Sequence, residues 1–274
     1  MITAVVLTAS ASRARAAERA AMAALGGVEH EVLTTVGAVS IAAGANAAAE
    51  RARGDVILFV RDDAETLSPD LAGAARRALE QCDIVGVAGA ARLVSPGWFH
   101  GGPPNLYGQI ANANALTGAV MVMLYQPAPE PLVLGMQALD GCMFAASRGV
   151  FGKVRFDEAR FPTEHLFDAD FFFSAHLAGL SLGVSMEMHA LIPLKTGVEP
   201  AWEQAAQRFW SKHGKRLPKE KPRKFQVTSV MCGSREEARE LMASAGRGSE
   251  GGGGSGGAGG PPVPGLGGEP ASSA

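Results

Sequence analysis

The sequence predicts an α/β fold, with a mixed, mostly parallel sheet flanked by helices. Three observations predict it. Short apolar runs alternate with alanine-rich segments of helical period through the first third of the chain. The run 56–60, Val-Ile-Leu-Phe-Val, is continuously apolar, which is typical of a strand covered on both faces. A chain of 274 residues, 47% of them hydrophobic, is long and apolar enough to bury a substantial core.

In the first half of the chain, each predicted strand is followed by a helix. Residues 3–7 form the first strand, and the alanine-rich segment 13–25 forms a helix closed by a pair of glycines. Residues 31–35 form the second strand, and a helix over 41–53 follows it. Strands that alternate with helices in this way indicate right-handed βαβ units.

The central strand, 56–60, leads into a third helix. Ser68 is the expected N-cap of that helix, Pro69 its first residue, and Gln81 its end. Residues 84–87 form a fourth strand. The first half therefore predicts a sheet whose carboxyl edge receives the loops that follow each strand.

The second half is less regular and predicts a mixed continuation of the same sheet. Its expected elements are a Gly/Pro/aromatic loop over 97–108, a strand over 139–146, a helix over 169–178, a strand over 182–188, a helix over 202–213, and a short helix opened by the capping box Ser234-Arg235-Glu236-Glu237. We expect one domain over 1–230, the short C-terminal helix over 231–245, and a disordered Gly/Pro/Ser tail over 246–274.

Composition and charge exclude several classes of protein. Lys+Arg 25 against Asp+Glu 27 gives a net charge of -2, which argues against a nucleic-acid-binding protein. The three cysteines form no CxxC pair, so neither a disulfide framework nor a thiolate zinc site is indicated. The longest apolar stretch, 115–125, is too short to span a bilayer, and the apolar N-terminus reads as a strand rather than a signal peptide. We therefore expect a cytoplasmic protein without a transmembrane segment.

Acidic side chains follow the central strand, in the run Arg61-Asp62-Asp63-Ala64-Glu65. Ligands of open α/β sheets bind outside the carboxyl ends of the strands. Hard divalent cations take carboxylate oxygens and bridge to substrate phosphates. The run therefore suits a metal–diphosphate site, and it equally suits a solvated loop that leads into the next helix.

A second acidic group lies where a helix begins, in Phe167-Asp168-Ala169-Asp170. The helix dipole favours an ionised carboxylate there, whereas apolar neighbours favour the neutral acid. That balance suits a general base with a hydroxyl within reach. Alternatively, Asp168 or Asp170 is an N-cap and the phenylalanines around it belong to the core.

Two further residues are weaker candidates. His189 follows an apolar strand, where a lone histidine is more often structural than a ligand. Asn46 lies on the helix before the central strand and either bonds a ribose or phosphate or faces solvent. The sequence has no GxxxxGK[ST], GxGxxG, HExxH or GxSxG, which weakens NTPase, dehydrogenase and hydrolase hypotheses more than a transferase hypothesis.

Several motifs in order resemble a known family. The segment 46–65 resembles the donor site of family-two glycosyltransferases of the GT-A fold. More narrowly, the chain resembles the streptomycin-biosynthesis-type glycosyltransferase-like domain. The matching motifs, which fall between Thr3 and His189, are Gly86-Val87-Ala88-Gly89, Trp98, Leu139-Asp140-Gly141-Cys142-Met143-Phe144 and Phe167-Asp168-Ala169-Asp170-Phe171.

The resemblance implies a GT-A-type fold and a role for each matching position. Asp168 is the implied catalytic base, and Asp63 the aspartate that holds a divalent cation, Mn²⁺ or Mg²⁺, with His189 as a second metal ligand. The donor nucleotide is expected at Thr8, Ser10, Asn46, Arg61 and Asp62, and the acceptor site at Trp98, Asp140 and Asp170. The implied partners are a nucleotide-sugar donor and a hydroxyl acceptor, which is a glycan, a lipid-linked compound or a small molecule.

The implied reaction is a single displacement with inversion at the anomeric carbon. Arg61 departs from the family pattern, which has His or Asp there, and a cation at this position either takes over part of the work of a metal or weakens metal binding. Two alternatives stay open. One is a GT-A-like module that binds a nucleotide or a partner without catalysis. The other is a sugar-phosphate nucleotidyltransferase, which the loop 8–13 disfavours because it has no glycine.

Overall fold

The computed structural model describes residues 1–126, 128, 130–194, 200–223 and 227–245. The tail predicted over 246–274 lies outside the described residues. In chain order the elements are β1 Ile2–Leu7, α1 Ala11–Leu25, β2 His30–Thr34, α2 Ile41–Arg51, β3 Val56–Arg61, β4 Glu65–Thr66, α3 Leu71–Leu79, β5 Ile84–Gly86, β6 Ala88–Ala90, β7 Leu106–Ala113, β8 Val120–Leu124, β9 Leu132–Leu134, β10 Ala138–Leu139, β11 Met143–Ser147, α4 Phe167–Leu177, β12 Leu182–Ser185, β13 Ala190–Pro193, α5 Pro200–His213, β14 Thr228–Cys232 and α6 Arg235–Ala245.

The first sheet contains the predicted βα units in the order β2-β1-β3-β11-β5-β12-β9. Strand β1 pairs in parallel with β2 and β3, and β12 pairs in parallel with β5. Strand β11 runs antiparallel to both β3 and β5, and β9 runs antiparallel to β12. The α/β class is confirmed, but this sheet is evenly mixed rather than mostly parallel.

The expected continuation of the first sheet is confirmed for β9, β11 and β12, but a second sheet also forms, to which both halves of the chain contribute. Its order is β10-β6-β7-β13-β4, with β8 paired to β7 and β14 paired to β8. The expected loop over 97–108 already contains the start of β7, and the apolar stretch 115–125 contains β8. Strands as short as β6 and β10 carry too few residues for an alternating pattern, so the sequence gives little sign of them.

The predicted strand over 139–146 is broken at residues 140–142. The Oδ1 of Asp140 accepts a hydrogen bond from the Cys142 amide, 2.9 Å away, in an aspartate turn. The part before the turn is β10 of the second sheet, and the part after it is β11 of the first sheet. This turn therefore joins the two sheets.

The third helix begins later than predicted. Its N-cap is Asp70, whose Oδ1 accepts from the Gly73 amide at 2.9 Å. The hydroxyl of Ser68 instead accepts from the His189 amide at 2.7 Å, which ties the loop to the start of β13. Aspartate is as good an N-cap as serine, and the tertiary bond to the second sheet decides between them.

Aromatic side chains fix α4 on one face of the first sheet. Phe59 of β3 stacks on Phe144 of β11 with ring centroids 4.8 Å apart, and Phe144 meets the edge of Phe172 of α4, also at 4.8 Å. Phe171 stacks on Phe156 of the preceding loop at 4.2 Å. This packing holds the N-terminus of α4, and therefore Asp168, near the carboxyl edge of β3.

Helix α1 contacts α3, and the capping-box helix α6 is confirmed with Ser234 as its cap.

Among the described residues, we find no helix with the length and apolar character that crossing a membrane requires.

Candidate functional site

The candidate site lies where the ends of β1 and β3 meet the beginning of β11. The Arg61 amide donates to the Cys142 carbonyl at 2.9 Å, and the Asp62 amide donates to the Leu7 carbonyl at 3.1 Å. The turn that joins the two sheets is therefore bonded directly to the end of the central strand. This is the edge at which α/β sheets bind ligands.

Strand alternation sends neighbouring side chains of this edge to opposite faces. Arg61 is two residues beyond Phe59 and shares the face that α4 covers, where its guanidinium pairs with Asp63. Asp62 points to the other face, where its Oδ2 lies 3.1 Å from Nε of Arg13 in α1 and accepts a short bond from Thr8. Of the acidic run, Asp63 is thus the carboxylate on the α4 side.

Asp168 lies in the first turn of α4, against the turn that joins the sheets. A Cβ placed on Gly141 would lie 1.9 Å from Oδ2 of Asp168, so the carboxylate sits directly on the glycine backbone. The residue before α4, Leu166, has a left-handed backbone with φ 59°, an uncommon conformation for a branched side chain. The motif that contains Gly141 does not indicate this contact with Asp168, and nothing in the sequence indicates the left-handed backbone of Leu166.

The electrostatics of Asp168 suit a base near neutral pH. Burial raises its pKa from an ordinary 3.8 to about 6, and the nearby Asp140 carboxylate raises it as well. The amides of Ala169 and Asp168 and the charge of Arg61 act in the opposite direction. Burial lowers the pKa of Arg61, but Cys142, Asp63 and Asp140 raise it by more, so the guanidinium stays protonated. Asp168, Asp140, Asp63 and Arg61 therefore form one electrostatic group, which we call the edge cluster.

Replacing Gly141 by alanine is expected to lower turnover by about tenfold or more, because the new methyl group must push the Asp168 carboxylate from its place. The measurement is kcat for the single variant and for the same change made in an Asp168→Asn background. A further loss of similar size in that background would contradict the explanation. Gly149→Ala is the matched control, since a Cβ there meets nothing within 4 Å.

One further predicted residue, Trp98, lies beside the edge cluster. The indole Nε1 of Trp98 donates to Oδ2 of Asp140 at 3.2 Å, and its ring packs edge-on against Tyr125 at 5.2 Å. Trp98 is only 8% exposed, so its ring is part of the wall behind Asp140. The structure therefore brings Trp98 and Asp140 together, and their role in binding an acceptor stays a prediction.

Thr8 and Ser10 shape the loop after β1 through their hydroxyls. The Thr8 hydroxyl bonds Asp62 and accepts from the Ser10 amide at 3.0 Å. Ser10 is the N-cap of α1, where its hydroxyl accepts from the Arg13 amide at 3.4 Å. Thr8 is 1% exposed, so it supports Asp62 from inside the protein.

Asn46 is not brought to the edge cluster. Its amide nitrogen donates to the Phe156 carbonyl at 2.9 Å and to Glu158 at 2.8 Å, and its oxygen accepts from the Phe156 amide at 3.0 Å. Both the amide nitrogen and the amide oxygen of the Asn46 side chain are thus hydrogen-bonded to the loop that precedes α4. The side chain clamps that loop to α2, and it neither faces solvent nor points to the edge cluster.

Asp170 is also directed away from the edge cluster, because residues two positions apart on a helix point about 200° apart. Its fully buried carboxylate accepts from Nζ of Lys212 at 2.8 Å and from Nε2 of His213 at 2.7 Å, both in α5. The placement differs from the acceptor role that the resemblance implies. Asp170 instead joins α4 to α5.

We expect Asp170→Asn to lower the free energy of unfolding by about 3 kcal/mol, because it removes one partner from a buried ion pair. Urea unfolding measures the change. Asp157→Asn is the control: Asp157 bonds the same Lys212 but is 28% exposed, so we expect a loss of less than about 1 kcal/mol. If Asp170→Asn and Asp157→Asn lose equal free energy of unfolding, then burial does not decide how much each carboxylate stabilises the fold.

The predicted metal ligands are engaged with other groups of the protein. Asp63 is ion-paired with Arg61, and His189 is 2% exposed, with Nε2 lying 2.9 Å from the Met186 carbonyl. Burial lowers the pKa of His189. Within the described ranges, no group of three or more His, Cys, Asp or Glu side chains is arranged to hold a metal ion. A Mg²⁺ ion usually keeps several waters and binds through one or two carboxylates together with substrate phosphates, so the cation that the resemblance implies stays a prediction.

Together, the fold and the edge cluster define a mixed α/β protein with a half-buried carboxylate of raised pKa and an ion-paired guanidinium at the carboxyl edge of its sheet. No family model matches the sequence, and no curated protein matches it.

Among solved structures, the fold is similar to a crystal structure of S. aureus TarS, at 12% identity and a TM-score of 0.42, over 70% of this chain and 36% of that one. It is also similar to a crystal structure of S. aureus TarS 1-349, at 12% identity and a TM-score of 0.44, over 80% of this chain and 75% of that one. This chain spans about a third of the length of the first structure. At these scores neither likeness carries an argument about function.

Proposed function

We propose that this protein is an inverting glycosyltransferase that moves a sugar from a nucleotide-sugar donor to an acceptor hydroxyl. One observation carries the proposal: Asp168, with a pKa of about 6, shares the edge cluster with a protonated guanidinium. A base and a positive charge are the two groups that a displacement of a nucleoside diphosphate requires.

In the proposed reaction, the acceptor oxygen attacks the anomeric carbon and its proton passes to the Asp168 carboxylate. The bond between that carbon and the diphosphate oxygen breaks, and the diphosphate leaves with the electron pair. Arg61 donates hydrogen bonds to the diphosphate and offsets its growing negative charge. A planar guanidinium suits this task because its N–H groups match two phosphate oxygens at once.

Arg61 takes the place that a divalent cation holds in the implied family pattern. Asp63 is already ion-paired with Arg61, and for this reason the proposal assigns every step to residues of this chain. Full activity in the presence of EDTA is the expected result, and loss of activity that Mn²⁺ or Mg²⁺ restores would contradict it.

A second candidate function is a nucleotide-binding module without catalysis. It is favoured by the internal partners that the acidic residues already have, namely Arg61 for Asp63, and Thr8 and Arg13 for Asp62. In this alternative the ion pairs stabilise the loops, and Asp168 is a structural residue of the first turn of α4.

One experiment separates the two functions. UDP-, GDP-, ADP- and dTDP-sugars are titrated calorimetrically against the protein, and release of the nucleoside diphosphate is then followed with water as the acceptor. We expect one class of nucleotide sugar to bind. The wild type should cleave the nucleoside diphosphate from it slowly, and Asp168→Asn should cleave it far more slowly. Binding without release above the rate measured in the absence of protein supports the non-catalytic module, and the absence of binding to any nucleotide overturns the proposal.

A further inference from the structure

A polar crevice lies on α5, away from the edge cluster. It has a volume of about 420 Å³ and is lined by Arg160, Gln204, Gln207, Arg208 and Ser211. The four α5 residues are spaced at i, i+3, i+4 and i+7, so they share one helical face. Arg160 comes from the loop before α4 and closes the crevice from the other side.

The crevice contains a buried hydrogen-bond donor that has no acceptor. Nη1 of Arg208 is shielded from solvent, and no atom in the described part of the chain accepts a hydrogen bond from it. An unsatisfied buried donor is costly, and the cost is larger for a charged group. One arginine of the crevice wall therefore has a buried N–H group without an acceptor among the described residues.

The charges around the crevice are unbalanced. None of its five lining residues is acidic, whereas two are arginines. The neighbouring Asp157 lies 2.8 Å from Nζ of Lys212 and makes only a loose contact with Nε of Arg160, at 3.9 Å. Lys212 is in turn shared with Asp170, so these carboxylates are already engaged. Among the described side chains, none forms an ion pair with Arg208, and its positive charge remains for a ligand.

We propose that this crevice binds an oxyanion carried on a hydroxyl-bearing compound, of which a sugar phosphate is the best-fitting class. Two guanidiniums supply paired N–H donors with the geometry that phosphate and carboxylate oxygens accept. The amides of Gln204 and Gln207 and the hydroxyl of Ser211 both donate and accept, which is what sugar hydroxyls require. The volume lies in the range of small-molecule sites and exceeds what a bare phosphate would fill.

The test compares three compounds of similar size: glucose 6-phosphate, glucuronate and glucose. Each is titrated against the full chain at constant ionic strength, and the side-chain N–H signals of the arginines and glutamines are followed by NMR. We expect glucose 6-phosphate to bind at least about tenfold more tightly than glucose and to shift the signal that disappears in Arg208→Gln. In that variant, the affinity for glucose 6-phosphate should fall at least about tenfold, with unchanged thermal unfolding.

Arg19→Gln, on the exposed side of α1, is the matched control and should bind like the wild type. Glucuronate binding that is also lost in Arg208→Gln extends the site to carboxylates and supports the oxyanion class. Equal affinity for glucose and glucose 6-phosphate, or an affinity for glucose 6-phosphate that Arg208→Gln leaves unchanged, overturns the proposal. Nucleoside diphosphate binding should be unaffected by Arg208→Gln, so this result is independent of the fate of the glycosyltransferase proposal.

Discussion

Asp168→Asn is expected to lower turnover by about 10²- to 10⁴-fold, the usual contribution of a general base. The amide keeps the shape and the position of the carboxylate on Gly141 but does not accept the proton of the acceptor. The measurement is kcat with a saturating donor. Turnover like that of the wild type would remove Asp168 from the proposed reaction.

The pH dependence of the wild type follows from the same residue. With a pKa of about 6, Asp168 is protonated and inactive below that pH, so kcat should rise with pH and level off above it. A profile without this rise would contradict the role of base.

The Asp168→Asn substitution should raise the stability of the folded protein while it lowers kcat. A carboxyl whose pKa is raised by folding destabilises the folded protein above that pKa, and this cost disappears below the unfolded value of about 3.9. Asp168→Asn should therefore unfold at a higher temperature than the wild type at pH 8, with the difference vanishing near pH 4.

Asp170→Asn, on the same helix, should show the reverse pattern: near-normal kcat and lower stability. A loss of activity caused by unfolding cannot produce this pair of results.

The sequence predicts the parallel βα units of the first sheet and the acidic run after its central strand because both depend on local patterns. The apolar run 56–60 fixes the central strand, and the period of two in a strand sends Arg61 toward Phe59 and Asp62 to the opposite face. The aromatic run after Asp168 is likewise enough to predict a buried helix. These patterns predict each element separately, whereas the expectation that Asp63 and Asp168 belong to one site comes from the resemblance.

The second sheet and the roles of individual polar residues depend on distant contacts, which local patterns do not encode. Asn46 reads as a solvent or ligand contact until Phe156, 110 residues later, occupies its amide. His189 reads as a strand-end ligand until the fold buries its ring beside the Met186 carbonyl. Asp170 has the same local surroundings as Asp168, and only the arrival of Lys212 and His213 from α5 separates their functions.

Arg61→Gln is expected to lower turnover by about 10²- to 10³-fold, the loss found when one preorganised donor to a developing charge is removed. In the proposed reaction, this guanidinium stabilises the diphosphate as its bond to the sugar breaks, so kcat should fall more than donor affinity. Arg61→Lys should recover only part of the loss, because an ammonium supplies the charge without the paired donors.

Arg13→Gln is the control for this prediction. Arg13 also pairs with a carboxylate of the acidic run, Asp62, but its side chain is 57% exposed and lies on the opposite face of the sheet. Asp62 is only 6% exposed but keeps its hydrogen bond from Thr8 when Arg13 is replaced, and Arg13 is remote from the leaving diphosphate, so turnover should change little. If Arg13→Gln and Arg61→Gln reduce kcat equally, then both act by holding the acidic run in place. In that case, the charge that the leaving diphosphate requires must come from a group other than Arg61.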